Sequence, residues 1–137
     1  MRIVSNNVSH SFAKSLEETG VTVAEWVVLR EMHESNDVIA PSTIAELTGL
    51  TRGAISKLVD KLIDKKFVTR KEASDDRRYQ EIKLTSKAIE LIPHLASLAD
   101  QNDDAFFSVL TKAEQKQLRD ILIKITQKNG LNKFPVT

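Results

Sequence analysis

The 137-residue sequence contains no cysteine, which removes disulfides, thiolate nucleophiles, cysteine-based redox sensing and sulfur-ligated zinc together. No apolar run approaches the roughly 18 residues that a bilayer-crossing helix needs. The N-terminus, MRIVSNNVSHSF, lacks the apolar core of a signal peptide. These absences predict a cytoplasmic protein without a membrane partner. Catalytic signals are missing as well: there is no nucleophile motif and no glycine-rich phosphate loop. His10, His33 and His94 fall on three separate predicted helices without HExxH-type spacing. We expect no enzyme and no cofactor; a metal site assembled from scattered His and carboxylates is the enzymatic alternative.

What is present is ordinary in amount and uneven in placement. The chain is 41% hydrophobic and 28% charged with 4 Gly and 3 Pro, enough for about one domain with a real core. Net charge is only +1, yet residues 51–87 hold 11 Lys and Arg against 6 Asp and Glu, and the remainder is net acidic. Such a basic block is either a solvated face or the electrostatic footprint of a nucleic-acid partner.

The block contains the most informative stretch of the chain, TRGAISKLVDKLIDKK, preceded by STIAELTGL. Ile55, Leu58, Val59, Leu62 and Ile63 recur at the three- and four-residue spacing of a helix with one buried face. Arg52, Gly53, Ser56, Lys57 and Lys61 are left toward the outside. Thr51 can accept from an unpaired first-turn N–H, and Gly49 can end the helix before it. Two short helices joined by a tight glycine-containing turn, the second carrying small and basic residues, describe a helix-turn-helix and predict double-stranded DNA as partner.

The flanks follow the same rules. Residues Arg2 to Thr19 read as a helix with Ile3, Val4, Val8, Phe12 and Leu16 on one side, ended by Gly20. Thr22 and Glu25 form a capping-box pattern that opens VAEWVVLREMHES, in which Trp26 is expected in the core. Val38 to Ala40 can supply an edge strand, and Pro41 suits the first turn of the next helix. After Lys66 the period turns from helical to alternating. Phe67–Lys71 and Tyr79–Leu84 then read as two strands joined by EASDDRR. A charged hairpin directly after a helix-turn-helix is a wing, whose Arg77 and Arg78 can reach a minor groove. In the alternative, Asp76 and one of the arginines form a surface ion pair.

Thr85 can cap a long helix containing Pro93, expected to bend there, with Ile89, Ile92, Ala96, Ala99 and Phe106 as its apolar strip. Thr111 and Glu114 form a second capping box before a helix with Leu118, Ile121, Leu122 and Ile125 on one face. The fold class expected is mainly α with a small antiparallel β wing. We read one domain over 1–137, with a winged helix-turn-helix over 22–87 and dimerisation helices over 1–20 and 88–129. The terminal helices have no compact domain of their own, so a second copy is the simplest cover for their apolar sides. A homodimer presents two recognition helices to a pseudo-palindromic site.

Several strings resemble the MarR family of transcription regulators, close to its SlyA-like branch. The likeness spans roughly Val21 to Leu91 and includes VTVAEWVVL, the helix-turn-helix string, FVTRK and DDRRYQEIKLTSKA. It implies sequence-specific DNA binding by a homodimer, acting as a repressor open to modulation by a small aromatic or phenolic ligand. By the same resemblance Thr51, Arg52, Gly53, Ser56, Lys57 and Lys61 fall at the groove-facing side, Ser42 and Thr43 near the phosphates, and Arg77 and Arg78 at the minor groove. His10, Trp26, Arg30 and His33 lie on elements that would border the ligand crevice. Three positions depart from the family pattern: Lys66 replaces the usual Gly before the first wing strand, Glu25 a common Gln, and Ala88 a frequent Gly. The rival reading for the same core is a winged helix serving as a protein-interaction adaptor, which would need no basic recognition face.

Overall fold

The computed structural model describes residues 1–72 and 80–130. Six α-helices and three short strands follow one another as α1 (Arg2–Leu16), α2 (Val23–Glu34), β1 (Val38–Ile39), α3 (Pro41–Thr48), α4 (Arg52–Asp64), β2 (Val68–Glu72), β3 (Gln80–Leu84), α5 (Ser86–Phe106) and α6 (Lys112–Lys128). The mainly helical class with a small antiparallel sheet is as expected from sequence. A 3-10 turn, Glu17–Thr19, follows α1 and ends at Gly20, which takes φ +75°.

The capping residues read from sequence are in place. Thr22 accepts from the Glu25 N–H while the Glu25 carboxylate accepts from the Thr22 N–H, a reciprocal box. Thr111 and Glu114 repeat it at α6, and Thr85 accepts from Ala88 N–H at the start of α5. Pro41 occupies the first turn of α3, where its missing N–H leaves no bond unmade.

The sheet order is β1-β3-β2, antiparallel throughout, with Val38 opposite Lys83 and Val68 opposite Leu84. β1 is the edge strand that Val38 and Ile39 suggested. Alternation buries Val68 from β2, and Ile82 and Leu84 from β3. These residues meet Trp26, Val28, Leu29 and Met32 of α2, Ile44 of α3, and Ile55, Val59 and Leu62 of α4 in one core. Burying each such aliphatic side chain contributes about 1.5–3 kcal/mol.

α1 enters the same core through Phe12 and Leu16. It is also tied to α5 by Asn102, which accepts from Ser11 Oγ at 2.7 Å and donates to the Val8 carbonyl at 3.1 Å. α5 runs unbroken through Pro93. Its buried residues are Ala88, Ile92, Leu95 and Asn102, and Ala96 and Ala99 of the strip expected by sequence pack against the core partly buried. Ile89, counted in that strip, is 38% exposed, because Ala88 takes the position against the core. α6 contributes no buried residue, and Leu118, Ile121, Leu122 and Ile125 all lie open.

Candidate nucleic-acid interface

α4, the second helix of the helix-turn-helix, is fixed at both ends by local chemistry. Gly49 ends α3 with φ +76°, a left-handed conformation natural to glycine. Thr51 then accepts from the Ala54 N–H at 3.1 Å, starting α4. At the other end the Lys66 N–H donates to the Ile63 carbonyl and the Phe67 N–H to the Leu62 carbonyl, both at 2.9 Å. This is the paired closure of a helix whose next residue is left-handed. That residue is Lys66, φ +65°, so lysine adopts the conformation for which glycine carries no steric cost. The recognition helix therefore ends where a glycine would have ended it.

Ile55, Val59 and Leu62 anchor one side of α4 in the core, so the opposite side is set outward. Arg52, Gly53, Ser56, Lys57 and Lys61 are all exposed there, as are Ser42, Thr43 and Thr51 on the elements before it. The structure brings Ser42, Arg52 and Ser56 together in one cleft, lined also by Pro41, Val59, Arg70 and Gln80. Arg77 and Arg78 lie outside the described residues.

Arg70 and Gln80 were not singled out by sequence. Both continue the inward face of the sheet, two residues beyond Val68 on β2 and two before Ile82 on β3, Arg70 standing opposite the buried Ile82 at the margin of the core. The side chains on that face consequently emerge into the cleft. Arg70 Nη2 donates to Asp60 Oδ1 at 2.6 Å, so a carboxylate on the recognition helix orients the guanidinium of the wing strand. Strand alternation was the signal that could have found Arg70; its meeting with Asp60 needed the packing of sheet on helix.

The four residues proposed to border a ligand crevice have separate surroundings. Trp26 is buried in the core. Arg30 is exposed on α2, with its Nη2 3.6 Å from Glu31 Oε1. His33 Nδ1 lies 2.8 Å from Asp37 Oδ1, and His10 is exposed on α1. Burial pushes the Glu31 carboxyl up, the Arg30 charge opposes that and Glu34 adds to it, leaving it above the ordinary carboxylate value. Among the described residues no group of three or more His, Asp or Glu side chains could hold a metal ion, and no helix is long and apolar enough to cross a membrane.

Residues 19–78 match the MarR family model. That segment is similar to the MarR family. Solved structures extend the likeness of fold beyond the matched residues. A MarR transcriptional regulator from Methanosarcina mazei Go1 superposes with a TM-score of 0.83 at 22% identity, over 95% of this chain and 92% of that one. A mutant MarR from E. coli complexed with operator DNA gives 0.82 at 22% identity, over 90% and 89%. The organohalide sensing regulator RdhR in its 2,4-dichlorophenol bound form gives 0.84 at 16% identity, over 93% and 75%. The MarR-like arrangement thus includes the terminal helices as well as the winged helix.

Proposed function

We propose that this chain is a sequence-specific, duplex-DNA-binding transcription regulator that acts as a homodimer on a pseudo-palindromic operator. The observation that carries the reading is the exposed row Arg52, Ser56, Lys57 and Lys61 on a helix whose other side is locked by Ile55, Val59 and Leu62. Arg52 can present two donors to a guanine edge or grip a phosphate, Lys57 and Lys61 supply point charges for phosphate, and Ser56 is a small partner for a base. Gly53 allows close approach of the backbone, while Ser42, Thr43 and Thr51 offer hydroxyls to the flanking phosphates.

Residues 22–87 bind the duplex in this account, and the helices of 1–20 and 88–129 pair two copies. Support for pairing comes from the open apolar side chains of α6 together with Ile3 and Val4 on α1, which are 78% and 50% exposed. Two-fold pairing places two recognition helices at half-sites about one helical turn, roughly 34 Å, apart. Arg77 and Arg78 serve the adjoining minor groove in this account, and the chain is read as close to the SlyA-like branch. Repression, relieved by a small aromatic or phenolic ligand near His10, Trp26, Arg30 and His33, completes the reading. The phenol-bound regulator and the operator-bound MarR of the same fold support both halves of it by analogy.

Selection of the purified protein on a pool of random duplexes tests the reading. Enrichment of a two-fold symmetric site is expected. Recovery of unenriched sequence at every salt concentration would instead favour an adaptor that uses the winged helix for protein contacts.

A further inference from the structure

The C-terminal end of the recognition helix is held by groups that lie away from the DNA cleft. Lys65 Nζ donates to Glu25 Oε1 at 2.8 Å and to the Gly20 carbonyl at 2.7 Å. The carbonyl of Lys65 accepts from Lys87 Nζ at 3.1 Å, and that of Lys66 from Thr85 Oγ1 at 2.8 Å. The Thr85 N–H donates to the Phe67 carbonyl at 3.0 Å, and Lys87 Nζ sits 4.7 Å from the centre of the Phe67 ring. The end of α4 is thereby fastened to the turn before α2, to α2 itself and to the first turn of α5. None of these fastening side chains lines the cleft of Ser42, Arg52, Ser56, Arg70 and Gln80.

Glu25 is the unusual member. It has no exposed surface, and its Oε2 has no hydrogen-bond partner among the described residues. A buried carboxylate is costly even when paired, and an apolar residue of similar size often gives equal or greater stability. Lys65 is only half-buried, but slippage of the contact would leave the buried Glu25 carboxylate without its partner, which ties the pair to one geometry. Geometry matters here because α4 is 13 residues long, or about 20 Å. Tilting it by ten degrees about its C-terminal end would move Arg52 by about 3 Å, enough to break a bidentate contact to a base.

We propose that Glu25 and Lys65 are positioning residues for DNA recognition: their ion pair, in which the carboxylate is buried and the lysine half-buried, seconded by Thr85 and Lys87, sets the angle of α4 against α2 and α5 and so the spacing of paired half-sites that the dimer accepts. This rests on the DNA-binding reading above. Base contacts and half-site spacing depend on that angle. Non-specific attraction to phosphate, a matter of charge alone, does not.

The test compares the wild type with Lys65→Met, Glu25→Gln and Lys65→Arg. Each protein is titrated with the selected operator, the same operator respaced by one base pair, and an unrelated duplex. The work is done at one salt concentration and below the Tm of each variant. Lys65→Met and Glu25→Gln change net charge in opposite directions, so a purely electrostatic effect would move their affinities apart. Both are expected to lose about tenfold in preference for operator over unrelated duplex, and to lose discrimination against the respaced site. Lys65→Arg is expected to restore both. A lowered Tm with the preference and the spacing discrimination unchanged would make the pair merely structural and overturn the inference. Opposite shifts for the two variants would overturn it as well. A wild type that selects no operator would defeat the DNA-binding reading itself, and this inference with it.

Discussion

One oxygen of Glu25 serves two elements 40 residues apart: Oε1 accepts the Thr22 N–H at 2.8 Å, completing the cap of α2, and the Lys65 ammonium at 2.8 Å, holding the end of α4. The cap of α2 and the hold on the end of α4 thus share a single buried carboxylate.

That arrangement has a pH signature. Burial alone would push the Glu25 carboxyl up, but the Lys65 hydrogen bond, the Thr22 N–H and the Lys65 charge together outweigh it and hold the group below its ordinary 4.5. A carboxyl lowered in the folded state contributes stability that is full above 4.5 and is lost as pH falls through the lower folded value. Chemical denaturation of the wild type is therefore expected to show a loss of stability below pH 4.5 that Glu25→Gln lacks. Parallel acid limbs for the two proteins would contradict this assignment.

Lys66 holds the left-handed position that ends α4. Replacing it by glycine removes the clash between Cβ and the following carbonyl oxygen, while its own carbonyl can still accept from Thr85. Lys66→Gly is expected to raise the free energy of unfolding by about 1 kcal/mol. Denaturant titration checks it, and a clear loss of stability would show that the lysine side chain contributes more than the strain costs.

The open face of α6 offers a separate check on assembly. Ile121, Leu122 and Ile125 are 56%, 43% and 47% exposed in the single chain, and a charge there would be buried in a paired assembly at a cost of several kcal/mol. Leu122→Asp is expected to convert a dimer to a folded monomer in sedimentation equilibrium, with helical content retained. An unchanged mass would exclude α6 from the dimer contact.

The parts of this molecule that sequence displays are those governed by near neighbours along the chain. Ile55, Val59 and Leu62 at helical spacing, Thr51 before them and Gly49 before that place the start of α4 within a residue, while its end falls two residues before the Lys66 that closed the sequence reading. Thr22 with Glu25 and Thr111 with Glu114 place two more helix starts. Even the two-residue strand at Val38 is visible once a wing is expected to need an edge partner. Long-range relations are another matter. Glu25 reads as a capping residue because Thr22 lies three positions away, whereas Lys65 is brought to it only by packing α2 against α4. Arg70 follows the alternation of β2, but its meeting with Asp60 depends on the sheet resting on the recognition helix. Asn102 lies among charged and polar neighbours in sequence and is buried, because Ser11 and the Val8 carbonyl arrive from the other end of the chain. Arg77 and Arg78, the most specific sequence signal, lie outside the described residues.

The central claim, that the outward row of α4 grips duplex DNA, is tested most directly by the salt dependence of operator affinity for the wild type and for a Lys57→Ala/Lys61→Ala double variant. Each lysine that neutralises a phosphate adds nearly one to the steepness of log affinity against log salt. The double variant is therefore expected to bind more weakly and with a slope shallower by about 2 per protomer. A wild-type slope near zero, or one unchanged by removing both lysines, would contradict the assignment of this face to DNA.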